Sequence, residues 1–239
     1  MTAPTTPGPA QVRSIFTAVA SRYDLMNTLM TFGLHHLWRR QTARIALQGL
    51  PRGIWVLDLG CGTGDLALAL ARRAPFARIV GADPVVPMLK VAQGKAGRLG
   101  LGGRFSPVAA DGIALPFANA TFGAVACAFV LRNTPYPPAV LREMGRVLVP
   151  GGRLAILELC RFGDSYLERA VAWYLRCVVP LLGGVVTGHR GAYAYFARSV
   201  ESFPTPPGLA EWVHTAGFAQ VRWRRLSPGV ALVWGVWPG

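Results

Sequence analysis

Val56-Leu57-Asp58-Leu59-Gly60-Cys61-Gly62-Thr63-Gly64-Asp65 is a short apolar run that reaches an acid and passes into a glycine-rich turn. The residues that follow, Leu66 to Ala74, read as a helix. Glycines at alternate positions let the backbone turn sharply and approach a ligand where a β-carbon would clash. A loop between the carboxyl end of a strand and the amino end of a helix is where open α/β sheets bind nucleotides. Asp58 argues against a phosphate-gripping loop, because a carboxylate there suits an amine better. The turn also lacks the Lys-Ser/Thr of a P-loop. Taken alone, the stretch also fits a dinucleotide fingerprint, or a turn with no ligand.

Working outward, Arg78 to Asp83 reads as a second buried strand ending in an acid. Asp83 lies 23 residues after Gly60, near where this architecture places a carboxylate to accept a ribose hydroxyl. Its competing reading is a helix cap, since Pro84 and a helical run follow. Asp111-Gly112 follows a third strand, Phe105 to Ala109, and is placed to face an adenine edge. Phe122 to Phe129 and Arg153 to Leu159 read as fourth and fifth strands. Between them Val140, Leu141, Met144 and Leu148 give Pro137 to Leu148 a helical period, and Pro150-Gly151-Gly152 breaks it. Strands and helices alternating at this spacing predict an α/β, Rossmann-like fold with a doubly wound, mostly parallel sheet. The turn itself matches the first motif of class I S-adenosylmethionine (SAM) methyltransferases, whose ligand carries an α-amino group and a sulfonium.

Composition agrees with a soluble domain and narrows the partners. The 239 residues are enough for one well-buried domain with a small cap. Hydrophobic residues make up 52% and charged ones 15%, so the surface is poor in charge. Cys61, Cys127, Cys160 and Cys177 show no metal-ligand spacing and read as thiols of a reducing compartment. No cluster of His, Cys or acids has ligand spacing, so no metal is expected. Met1 to Ala10 reads as a disordered tail, residues 11–50 as an N-terminal helical segment, and 51–239 as the SAM-binding domain. The tail has no signal-peptide pattern, which places the protein in the cytoplasm. A net charge of +14 raises nucleic acid or an anionic membrane as partners. The basic residues are dispersed and no nucleic-acid reading element is present, which argues against nucleic acid. Ala170 to Gly188 is long enough to span a bilayer, but Arg176, Pro180 and Gly183-Gly184 interrupt it. It reads instead as an apolar cap, within about 163–204, over a greasy pocket or against a membrane. Trp173, Tyr174, Trp212, Trp234 and Trp237 are candidate interfacial aromatics, with core packing as the competing reading.

Beyond the SAM core, the chain resembles the UbiE/MenG family of ubiquinone and menaquinone C-methyltransferases. The resemblance rests on Val12-Arg13-Ser14-Ile15-Phe16, Tyr23-Asp24-Leu25-Met26-Asn27 and Gly33-Leu34-His35-His36-Leu37-Trp38-Arg39. It continues through Leu115-Pro116-Phe117, Leu131-Arg132-Asn133, Leu141 to Leu148 and Tyr193-Ala194-Tyr195, and covers about Val12 to Gly235. The chain departs from the family at Gly123, where an acid is usual, at Gly112 and Ile113, and at Val130, where a glycine is usual. Pro84 and Pro87 stiffen the turn after Asp83. These departures are expected to border the SAM and substrate pockets, which leaves open another acceptor or lost activity.

The resemblance implies SAM-dependent methylation of a ring carbon in a prenylated hydroquinone, most simply demethylmenaquinol. Another lipid-like or small phenolic acceptor, or a non-catalytic SAM-fold protein binding quinone or membrane, remain alternatives. A phenol ionises near pKa 10, so ionising it at neutral pH takes a shift of about three units, roughly 4 kcal/mol. A nearby positive charge lowers such a pKa by about one to three units. Arg132 is the candidate for that charge, with Asn133 as hydrogen-bond partner. Asp111, Tyr23 or His35 are candidates to accept the proton, directly or through water. Asp58, Gly60, Gly62, Thr63, Gly64, Asp83, Asp111 and Gly112 are expected around the cofactor. Phe129, Trp173 and Tyr193 are expected around the acceptor. Peripheral contact with an anionic membrane and a homodimer are the partner states carried forward.

Overall fold

The computed structural model describes residues 8–239. Its frame is a seven-stranded sheet in the order β3-β2-β1-β4-β5-β7-β6. The strands are β1 (Trp55–Leu59), β2 (Arg78–Asp83), β3 (Phe105–Ala109), β4 (Phe122–Ala128), β5 (Leu148–Leu159), β6 (Ala219–Ser227) and β7 (Val230–Val236). The first five pair in parallel, and β7 joins β5 antiparallel with β6 at the edge. Chain order reverses at β1, whose neighbours are β2 and β4, so a crevice opens beyond the carboxyl ends of β1 and β4.

Helices cover both faces because the central strands are apolar on both sides. On one face lie α3 (Leu34–Ala46), α4 (Asp65–Arg73) and α5 (Val86–Arg98), packed through Ala43, Leu70 and Ala92. On the other lie α6 (Pro137–Val147) and α9 (Pro206–Thr215), packed through Leu141, Met144 and Leu209. A third apolar cluster caps the carboxyl ends of β5 and the start of β7. It gathers Met26 of α2 (Tyr23–Thr31), Trp38, Leu175 and Val179 of α7 (Tyr166–Thr187), and Tyr193 and Val200 of α8 (Arg190–Ser202).

The expected strands and helices are present, with shifts that have simple causes. The fifth strand starts at Leu148, not Arg153: Leu148 already pairs with Phe122, and Pro150-Gly151-Gly152 is absorbed as an irregularity in the ladder. The helix α1 (Pro9–Val19) begins inside the expected tail, with proline at its first turn where no N–H is missed. The rest of that tail, residues 1–7, lies outside the described residues. The apolar stretch forms α7, started by a capping box in which Ser165 accepts from the Glu168 N–H. It packs on α8 where Gly183 meets the Tyr193 ring, a site at which any β-carbon would collide. Of the candidate interfacial aromatics, Trp212 packs on Phe203, Trp237 on Phe218, and Trp234 against the α3–α4 core. These three are packing residues.

Candidate functional site

Two cavities adjoin at the carboxyl edge of the sheet. Gly60, Gly62, Asp83, Asp111 and Gly112 line the first. Gly60 adopts φ +63, and a β-carbon there would strike Val130. No other residue type meets both conditions without strain. Asp83 holds the turn in shape: its Oδ2 accepts from the Gly62 N–H at 2.8 Å and its Oδ1 from the Val85 N–H at 2.8 Å. Each oxygen keeps a second lone pair. Asp58, at the end of β1, is buried, and neither of its oxygens accepts a hydrogen bond of ordinary geometry. Burial pushes its carboxyl up to about 8. A buried carboxylate without partners is costly, and a cationic ligand group would relieve it. An ammonium answers that need and a phosphate does not, so the turn fits a ligand with an α-amino group.

The second cavity is lined by Trp38, Phe129, Arg132, Tyr174, Tyr193 and Phe196, among other apolar residues. Arg132 sits in a 3-10 turn, Leu131–Asn133, straight after β4. Its side chain is 5% exposed, 3.6 Å from the fully buried Glu158 on β5, and its guanidinium lies 4.8 Å from the Phe196 ring centre. Burial pushes the Glu158 carboxyl up and the Arg132 charge opposes it. Three polar atoms of this cavity are buried without partners: Arg132 Nε, Asn27 Nδ2 and the Tyr193 hydroxyl. Burial also raises the Tyr193 hydroxyl to about 12, so it stays protonated. An apolar chamber with a few unsatisfied donors is the form of a site for a ligand that is greasy and carries oxygens.

Phe16, Tyr23, Phe129 and Asn133 line both cavities, so the two lie back to back, the glycine turn on one side of a shared wall and the arginine on the other. Phe129 adopts φ +63, costly for a bulky side chain by about 1–3 kcal/mol. Three hydrogen bonds hold it there: its N–H donates to Leu157 O, and its carbonyl accepts from Arg132 NH1 and Asn133 Nδ2. The same bonds orient Arg132 and Asn133. Tyr195 adds a hydroxyl to Asn133 Oδ1 at 3.4 Å.

A polar network ties the N-terminal helices beneath this space. Asp24 accepts from the Thr63 hydroxyl at 2.5 Å and from Lys95 Nζ at 2.8 Å, and Lys95 also donates to Asp65. Burial pushes Asp65 up, but Arg39 and Lys95 outweigh it and hold its carboxyl below the usual range. Arg39 donates to His35 Nδ1 at 2.6 Å, which leaves Nε2 to donate to Thr28 Oγ1 at 3.2 Å. Burial and Arg39 depress His35 to about 3, so it is neutral.

The expected residues therefore divide. Gly60, Gly62, Asp83, Asp111 and Gly112 line the first cavity, Arg132, Tyr193 and His35 the second, and Tyr23, Phe129 and Asn133 both. Asp58, Thr63 and Gly64 lie behind the turn, where Thr63 spends its hydroxyl on Asp24. Trp173 lines neither cavity; it is 58% exposed on the outer face of α7. His35 has both nitrogens engaged, which removes it as a proton acceptor. Asp111 lies outside the second cavity and pairs with Arg13 at 2.6 Å. Among the departures, Gly123 sits at the amino end of β4, where a β-carbon would collide with Ile54, far from both cavities. The ligand atoms of His35, His36 and Asp65 come within 4.8 Å of one another, although their sequence spacing did not suggest a cluster. Arg39 and Lys95 already balance that charge. Sequence reasoning missed Glu158 and Asn27; an acid inside the apolar run Leu154 to Leu159 was the available signal.

Comparison with known proteins follows the same lines. The sequence profile of the ubiE/COQ5 methyltransferase family matches residues 5–237. A demethylmenaquinone methyltransferase of Thermus thermophilus is 45% identical over 219 residues, 92% of this chain and 97% of that one. A ubiquinone/menaquinone biosynthesis C-methyltransferase UbiE of Dinoroseobacter shibae is 38% identical over 95% of this chain and 90% of that one. Among solved structures, a SAM-dependent methyltransferase of Thermotoga maritima aligns with a TM-score of 0.66 at 18% identity, over 94% and 98% of the two chains. The [4+2]-cyclase SpnF aligns equally well, at 0.66 and 20% identity over 98% of each. The fold is that of class I SAM methyltransferases, and the fold alone does not set the reaction.

Proposed function

The chain belongs to the ubiE/COQ5 methyltransferase family, a family of SAM-dependent methyltransferases of quinone biosynthesis, and from that premise we propose that it methylates a ring carbon of demethylmenaquinol. The observation that carries the reading is the wall that the two cavities share, Phe16, Tyr23, Phe129 and Asn133, which sets the glycine turn next to the chamber of Arg132. SAM supplies an electrophilic methyl group on a sulfonium. The glycine turn, Asp58 and Asp83 would hold its amino acid and ribose ends, and Asp111 and Gly112 lie along the same wall. Trp38, Phe129, Tyr193 and Phe196 enclose the acceptor ring and exclude water.

Arg132 lowers the pKa of a phenolic hydroxyl placed against it, and as a guanidinium it keeps its own proton. Tyr23, the hydroxyl common to both cavities, relays the phenolic proton to water. The electron-rich ring carbon would then take the methyl group that SAM supplies, with the sulfur keeping the electron pair of the broken bond. The proton on that carbon leaves to solvent, restoring the aromatic ring. Asn133, Asn27 and Tyr193 offer hydrogen bonds that fix the ring's two oxygens. The acceptor is a lipid, so the protein works in the cytoplasm at the inner face of the membrane.

The test is methyl transfer from labelled SAM to chemically reduced demethylmenaquinol, with the oxidised quinone and the Arg132→Ala variant alongside. Labelled menaquinol from the wild type and little from either control is the expected result. Equal labelling of the oxidised quinone overturns the ionised-ring mechanism. SAM binding without product moves this chain to another acceptor.

A further inference from the structure

We propose that α2 and α7 together form a bilayer-docking face, and that the cavity rim at Phe32 and Tyr174 is the mouth through which a lipid-tailed acceptor passes. The proposal rests on the reading that the second cavity takes a lipid quinol.

Along α7 the exposed positions Tyr166, Ala170, Trp173, Cys177, Leu181 and Val185 recur at steps of three or four residues. They form one apolar stripe down a 22-residue helix. Tyr166 and Val185, near its ends, are 92% and 85% exposed. The opposite face, Leu175, Val179 and Gly183, is buried in the cap core. A helix with one apolar face in the core and a second facing outward is not explained by the core alone. The helix α2 lies alongside and runs the other way: Arg22 donates to the Val186 carbonyl at 2.5 Å, and Phe32 sits 6.3 Å from the Tyr174 ring. It contributes Leu25, Leu29 and Phe32, each exposed and one turn apart.

Two observations select a membrane as the occupant. First, the face is continuous with the acceptor cavity, because the exposed Phe32 also lines the cavity and stands against Tyr174 on its wall. A lipid tail leaving the cavity emerges on this face. Second, the surface is more positive than the net charge of +14 conveys. Four of the eleven acids, Asp58, Asp83, Glu158 and Glu168, are buried, while among the described lysines and arginines Arg39 and the side chain of Arg132 are. Arg22, Arg169 and Arg176 are exposed along the edges of the face, with Arg176 paired to Glu201 at 3.6 Å. Apolar and aromatic side chains flanked by arginine suit an anionic leaflet, each arginine adding to the attraction.

The experiment is flotation with vesicles of phosphatidylglycerol and phosphatidylcholine, without any acceptor, for the wild type and a Leu181→Glu/Val185→Glu variant. Both substituted positions are exposed, and circular dichroism confirms that the variant folds. The wild type should float, and the variant should lose binding by about tenfold or more. Brominated lipid should quench wild-type tryptophan emission, with most of the quenching absent in Trp173→Phe. The Leu181→Glu/Val185→Glu variant should methylate a short-tailed demethylnaphthoquinol at the wild-type rate within about twofold, and lose about tenfold on the long-tailed acceptor in vesicles. Undiminished flotation of the variant overturns the proposal. So does a wild-type dimer that the substitutions split, which would make the face a contact between copies. Equal flotation on pure phosphatidylcholine overturns the role of the arginines. Failure to methylate either acceptor rejects the catalytic reading and leaves the flotation result to judge the face.

Discussion

The cavity proposed for the cofactor is assembled from strand ends and the turns that follow them, whereas the cavity proposed for the acceptor is walled mainly by helices from residues 9–46 and 166–202. In the first, backbone groups do much of the work: the Gly62 and Val85 amides fix Asp83, and Gly60 turns through a left-handed φ with no β-carbon to strike Val130. In the second, side chains act, and several of their polar atoms are left without protein partners. Backbone sites tolerate little substitution because geometry is shared by every residue of the turn. Side-chain sites can change acceptor by changing single residues.

The largest expected effect tests this division at Arg132. Arg132→Ala should lower kcat about a thousandfold while SAM affinity changes less than about twofold. It also leaves Glu158 buried without its partner, which should cost about 3–5 kcal/mol of stability by denaturant unfolding. Adding Glu158→Gln should restore the stability and not the turnover. Recovery of both would make the arginine a scaffold.

Gly60→Ala probes the other cavity. The left-handed φ alone costs about 1–2 kcal/mol, and the contact with Val130 adds to it. SAM affinity, measured by calorimetry, should fall by about ten- to a hundredfold. A second change, Val130→Gly, should recover part of that loss. No recovery would mean that the φ, not the collision, decides the site.

Asp58 gives a pH signature. Its carboxyl is protonated below about 8 and must release that proton to pair with an ammonium. SAM affinity should therefore tighten by about fiftyfold between pH 6 and 8, with proton release visible as a buffer-dependent enthalpy. In Asp58→Asn both should vanish. The apo protein carries the opposite dependence: a folded-state pKa raised above the unfolded value makes stability fall as pH rises from about 4 to 8.

Smaller effects mark the edge of the acceptor cavity. Tyr193→Phe removes a donor without a protein partner, so the acceptor KM should rise about fivefold with SAM affinity unchanged. Trp173→Ala, outside both cavities, should leave turnover of a short-tailed acceptor within about twofold. A large loss there would place Trp173 in the acceptor path after all.

The sheet was legible because it follows local rules. Buried strands such as Val56 to Leu59 and Ile79 to Ala82 are continuous apolar runs, and each is punctuated by an acid, a glycine or a proline. Asp83 shows where that logic thins: expected as a ribose ligand or a cap, it holds the Gly62 amide across the turn while still lining the cavity. Thr63 and His35 show it failing. Both stand in motifs, yet Asp24 takes one hydroxyl and Arg39 and Thr28 take both ring nitrogens. The sequence carries residue types but not the partners that consume them.

By itself, then, the sequence determined the α/β order, the glycine turn and the placement of Arg132 and Asn133 after the fourth strand. These depend on periodicity and on backbone demands that span only a few residues. Tertiary structure alone decided that Phe129 is the strained wall between two cavities, that Glu158 backs Arg132, that Trp173 faces outward and that Gly123 is remote from the chemistry. Each of these depends on contacts between segments distant in the chain, such as Asn133 with Tyr195, 62 residues apart. Such contacts exist only once the apolar faces of helices and sheet have been buried against one another.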